Sequence, residues 1–168
     1  SAIGIDVIFA EADKADPAGD LLLASAIGSA GNVVLPVHFE DIGGLRVERG
    51  PLPLFAAAVA GLGHVRLIPD VDGRLRRFSL MEAERPSLPA AMLALTGYGL
   101  PETTEVLLPL SRGVDRVRSI SARDILRGGM PRDLAGDLVL VGITAAGMAP
   151  RMRWPNEAEI SAAEAQAA

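Results

Sequence analysis

Three short stretches of the chain are dominated by apolar side chains: 3–9, broken only by Asp6, 32–37, and 138–142, which reads Leu-Val-Leu-Val-Gly. Short apolar runs rich in β-branched residues predict strands buried on both faces. Between the first two, Asp16 followed by Pro17 marks a helix start, with an N-cap and a proline at the first helical position. The apolar residues 21–27 continue that helix, and Gly28 or Gly31 ends it. Residues 40–50 are polar with three glycines and predict a loop. Residues 52–60 predict a short helix stopped by Gly61. Residues 64–68 and 75–80 predict two strands. Asp70-Val71-Asp72-Gly73 between them predicts a tight turn, closing a hairpin over 63–81.

Further along, 87–96 predicts a helix bounded by Gly97. Residues 104–110 and 114–118 are weaker strand candidates. Residues 121–126 predict a short helix, with Ser121 and Asp124 spaced as a capping box. The alanine- and glutamate-rich 156–168 predicts a terminal helix capped by Asn156, with Glu157 and Glu159 at the positive end of its dipole. Ile160 is the only large apolar side chain there, so the helix is expected to dock weakly and to move relative to the sheet. Strands alternating with helices predict an α/β fold, three-layer α/β/α with a mostly parallel sheet and an inserted β-hairpin.

Composition narrows the class. The 168 residues fit one domain, and 49% hydrophobic content supplies a core. A net charge of −5 argues against a nucleic-acid partner, which requires a basic face. Lys14 is the only lysine. The absence of cysteine excludes disulfides, thiolate metal sites and cysteine nucleophiles. No apolar run approaches the length that spans a bilayer, and the chain begins directly in a strand-like pattern without a leader, so any membrane or export signal is expected outside it.

Several segments are similar to those of one family. Ile3 to Phe9 with Glu11 resembles a characteristic strand of CHASE2 domains, and Asp16-Pro17 with Asp20 and Leu21 resembles the helix start that follows it. Gly31-Asn32-Val33-Val34-Leu35, Gly63-His64-Val65 with Asp70 to Arg77, Ile120 to Leu126 and Leu138 to Ala145 continue in the family's order across nearly the whole chain. The resemblance implies a sensory module on the outside of the membrane of a bacterial transmembrane receptor. Its output would lie elsewhere: a nucleotide cyclase, a histidine or serine/threonine kinase, or a diguanylate cyclase. The family's first strand and helix, before Ile3, have no counterpart here, which implies an incomplete ligand pocket and an exposed sheet edge. The resemblance carries no ligand-binding residues over.

The residues themselves offer candidates. Asp6 interrupts an apolar strand, and a buried carboxylate must find donors or a cation. Either it is structural, bonded to backbone or an arginine, or it faces a ligand crevice beyond the carboxyl ends of the strands. Glu11 lies past the end of the same strand. His38 ends the second strand and is either a satisfied surface histidine or faces the same crevice; Thr144 lies in the small-residue turn 142–147, which is either a plain strand exit or a place where backbone approaches an anion. The two histidines are far apart in sequence, which argues against a metal site. His64 carries no message of its own. Arg74, Arg76 and Arg77 read as solvated partners for acids.

Asp70 and Asp72 form a D-x-D-G sequence of the kind that haloacid-dehalogenase-type phosphatases use, but Arg74 stands where a threonine is usual, Pro69 precedes the motif, and a later acidic pair is missing. A hairpin turn explains it better. A calcium loop lacks its later ligands. Turn 142–147 has neither the lysine of a P-loop nor a close Gly-x-Gly pair, and no nucleophile elbow occurs. The motifs argue against an enzyme and offer no cofactor or metal site, and the resemblance implies a sensor. Its partners would be an unidentified small-molecule or protein ligand, the membrane through outside segments, and a second copy of the chain. The competing readings are a phosphatase on Asp70 and Asp72 and a dimerisation scaffold.

Overall fold

A computed structural model describes residues 1–108, 117–129, 134–145, 148, 151–153 and 159–167. Its described elements in chain order are β1 (Ala2–Ile5), α1 (Pro17–Ala30), β2 (Val33–Ile42), β3 (Leu45–Arg49), α2 (Pro53–Ala56), β4 (Gly61–His64), β5 (Arg77–Ser79), β6 (Met81–Glu82), β7 (Arg85–Pro86), α3 (Leu88–Leu95), β8 (Glu105–Leu107), α4 (Ala122–Leu126), β9 (Leu138–Val141), β10 (Arg151–Arg153), β11 (Glu159–Ser161) and α5 (Ala162–Ala167).

The three apolar runs do form neighbouring parallel strands. β1 pairs with β2 through Ile3↔Val33 and with β9 from Ala2↔Leu138 to Ile5↔Val141. β4 pairs in parallel with the first half of β2, from Val34↔Gly61 to Val37↔His64. β3 runs antiparallel to the second half of β2, so the five-stranded sheet is mixed in direction. Alternation along β1 and β2 divides the core. Ile3, Ile5, Val33 and Leu35 pack with Ala24 and Ile27 of α1 and Phe55 of α2. Ala2 and Val34 pack with Leu88, Ala91 and Met92 of α3. A third cluster joins Leu75, Phe78, Leu80, Ala90, Leu108, Ile160 and Ala165.

Local signals held where they were self-contained. Asp16 caps α1, its Oδ1 accepting from Gly19 N at 3.1 Å, and Gly31 closes the helix with φ 66. Ser87 caps α3, accepting from Ala90 N, and Gly97 follows with φ 79.

Other expectations are corrected. The loop expected over 40–50 is a β2–β3 hairpin, turned by Gly43 and Gly44 at φ 59 and 82; this is the positive-φ pair that matches strand twist. Strand 3–9 ends at Ile5, and Phe9 leaves the sheet to pack on Phe55 with ring centroids 5.1 Å apart. The helix over 52–60 is one turn long, and Gly61 begins β4 rather than only stopping a helix. The turn at Asp70 to Gly73 forms, with Gly73 N donating to Asp70 O at 2.8 Å. Its flanks do not pair with each other as a hairpin over 63–81: β4 joins β2 and β5 joins β8. Ser121 makes no side-chain cap bond to α4.

The terminal segment departs most. Residues 156–158 and 168 lie outside the described residues, as do 109–110 and 114–116 of the two weaker strand candidates. Glu159–Ser161 is a strand, paired antiparallel with β10, and the helix starts only at Ala162. Pairing satisfies the backbone of 159–161 in a way that alanine-rich composition does not foresee. Ile160 and two of the alanines, Ala163 and Ala165, the expected contacts of this segment, are all buried.

Candidate functional site

Ending β1 at Ile5 puts Asp6 at the carboxyl end of the central strand rather than in its middle. Its backbone N donates to Val141 O at 2.7 Å, so the residue is tied to the end of β9. Its carboxylate is reached from far along the chain: Gln166 of α5 donates from Nε2 to Asp6 Oδ2 at 3.0 Å. Burial pushes the Asp6 carboxyl above its ordinary range, and the Gln166 bond offsets only part of this. Gln166 itself is buried, and its Oε1 has no hydrogen-bond partner.

α5 is held there by its own sequence. Ser161-Ala162-Ala163-Glu164 forms a reciprocal capping box. Ser161 N and Oγ donate to Glu164 Oε2 at 2.7 and 2.8 Å, and Glu164 N donates back to Ser161 Oγ. Gly142, just after β9, lets the helix approach, because a Cβ at that position would overlap the Ala163 methyl.

The other candidates lie around this point without touching it. His38 sits where β2 passes from the parallel sheet into the hairpin, its Nε2 3.0 Å from Glu40 Oε1, while Nδ1 is buried without a partner. The His38 bond and then Arg49 hold the Glu40 carboxyl below its ordinary value. Glu11 and Thr144 are exposed. No described hydrogen bond or ion pair joins Asp6, Glu11, His38 and Thr144 to one another. Ala146 and Gly147 of the 142–147 turn lie outside the described residues.

The D-x-D-G pair is occupied by an arginine. Arg76 donates to Asp70 Oδ2 at 2.6 Å and to both Asp72 oxygens at 3.0 and 2.7 Å. Its guanidinium holds the Asp72 carboxyl down at about 2. Both carboxylates are thus turned onto a fixed cation within the turn, where a phosphatase would need them on magnesium. Among the described residues, no group of three or more His, Asp or Glu side chains is placed to hold a metal ion.

A second charged centre went unseen in the sequence. Glu82 is almost wholly buried and accepts from Arg46 of β3 and from Arg66 Nη1 at 2.5 Å. His64, fully buried, lies 3.9 Å from Glu82 Oε2, and its Nδ1 accepts from Arg66 N. Burial, and then the Arg66 charge, depress His64 to about 4. Glu48 and Arg85 form a two-bond pair alongside, at 2.9 and 3.0 Å. A cavity of about 270 Å³ opens beside Arg46, Arg66 and Glu82, and another of about 320 Å³ lies between Asp72, Arg151, Arg153 and Glu159.

No curated protein and no solved structure matches the chain. A family model does: that of the CHASE2 domain, over residues 1–168. The match covers the whole chain, and the chain belongs to the CHASE2 domain family.

Proposed function

We propose that this chain is the sensory module, on the outer side of the membrane, of a bacterial transmembrane signalling receptor whose output domain is a cyclase or a kinase. CHASE2 is a family of extracellular sensory domains, and the match across residues 1–168 is the observation that carries this reading. No helix among the described residues is long and apolar enough to cross a membrane. Helices α1 and α3, packed on opposite sides of the strands, support a three-layer α/β/α arrangement. The ligand crevice in this reading lies beyond the carboxyl ends of β1, β9 and the parallel half of β2, bordered by Asp6, Glu11, His38 and Thr144. Residues 156–168 lead from it toward the membrane. Ligand binding would act by favouring one arrangement of these parts over another.

Sidedness tests the reading directly, because residues 1–168 contain no cysteine and the parent receptor serves as the labelling background. Val71→Cys places a new thiol on a fully exposed turn. In spheroplasts expressing the full receptor, a membrane-impermeant maleimide should label this cysteine before lysis. Labelling only after lysis would overturn the reading.

A further inference from the structure

We propose that Asp6 and Gln166 form a proton-dependent latch that fastens α5 to the carboxyl end of β1, the fastening becoming tighter when Asp6 takes up a proton. This goes beyond the sensory reading and does not rest on it. The geometry is that of half a reciprocal pair. Gln166 Nε2 donates to Asp6 Oδ2, while Gln166 Oε1 is buried with no donor. An ionised carboxylate offers only acceptors and leaves Oε1 unsatisfied. A protonated one supplies the missing O–H, and acid and amide then exchange two hydrogen bonds. The proton comes from solvent and ends between Asp6 and Gln166 Oε1.

The surroundings leave Asp6 as the titrating group. At the end of β9 and just after it the neighbours are Val141 and Gly142. On α5 they are Ala163 and Gln166, with Glu164 engaged by Ser161. α3, which also touches α5, carries no charged residue. On β2, His38 is engaged by Glu40, and Glu11 beyond β1 is exposed. Among the described residues, burial and Gln166 are what move Asp6, and burial dominates in the upward direction. When α5 lifts away, Asp6 regains water and an ordinary carboxyl. The docked state therefore binds the proton more tightly, and acid favours docking.

Amide protection factors across 162–167, measured on the intact chain from about pH 7 down to about pH 3.5, past the ordinary carboxyl value of 3.8, and referred to those of α1, read the latch. They should rise on acidification by up to about tenfold per pH unit, the limit for one proton. Asp6→Asn mimics the neutral acid, since its amide can donate to Gln166 Oε1, and should give high, pH-independent protection. Wild-type protection that is flat or falls relative to α1, or an Asp6→Asn chain that keeps the rise, would overturn the proposal. The carboxyl titration of Asp6 by carbon NMR decides without any variant: a midpoint above 3.8 is expected, and one at or below it overturns the latch.

Discussion

A single carboxylate at position 82 gathers Arg46 from β3 and Arg66 from the irregular segment just after β4, with the ring of His64 close by. Hydrogen bonds between charged groups contribute more than neutral ones, and Glu82 is screened from water whereas both arginines keep partial exposure. Glu82→Gln keeps the shape and removes the charge. It should lower the free energy of unfolding by about 1–3 kcal/mol in urea titration; an unchanged midpoint would show the arginines to be equally well served by solvent. Sequence reading singled out Asp6 and passed over Glu82 for a physical reason. Asp6 stands inside an apolar run, where a carboxylate is conspicuous. Glu82 stands in Met-Glu-Ala-Glu-Arg, where acids are ordinary, and its burial depends on partners 36 and 16 residues away. Gln166 was illegible in the same way, since its contact with Asp6 spans 160 residues.

At the scale of elements, what could be read was what is decided locally. Asp16-Pro17 and Ser87 announce helices by capping chemistry that needs no distant partner, and β1, the first half of β2 and β9 announce themselves by unbroken apolar runs. The β2–β3 hairpin did not, because Glu40, Asp41, Arg46 and Glu48 give it no apolar face. It is held instead by its glycine turn and by Arg46–Glu82 and Arg85–Glu48 across to β6 and β7. The terminal strand and helix were misjudged for the opposite reason. Alanine and glutamate favour helix, but pairing with β10 claims Glu159 to Ser161, and Ser161, not Asn156, begins the helix. The Ser-x-x-Glu spacing at 161–164 was legible and is the signal that would have found it. Ser161→Ala removes the donor to Glu164 and the acceptor for its amide. It should cost α5 about 1 kcal/mol, seen as roughly fivefold faster amide exchange over 163–167 with the exchange of α1 unchanged. Equal acceleration in α1 would mean that α5 opens only with the whole domain.

Across the whole molecule, two buried groups respond to acid with opposite sign. Asp6 has a raised carboxyl, so protons favour the packed state around it. His64 is depressed from 6.5 to about 4, so the unfolded chain takes up its proton first. The stability that neutral His64 supports is complete above about pH 6.5 and drains away as pH falls toward 4, by about 1.4 kcal/mol per pH unit at most. Its position explains the cost of charging it. The ring is fully buried against Phe78, centroids 6.5 Å apart, its Nδ1 is taken by Arg66 N, and the Arg66 charge lies close by. Glu82, 3.9 Å away and already engaged by two arginines, offsets too little of that. Urea unfolding of the wild-type chain and of His64→Gln, compared between about pH 7 and about pH 4.5, separates this group from the rest. The wild type should lose more stability than the variant, by up to about 1.4 kcal/mol for each unit within the window. Parallel losses would remove His64 as the source. A domain that loosens globally in acid while α5 fastens locally would carry its pH response in the difference between the two.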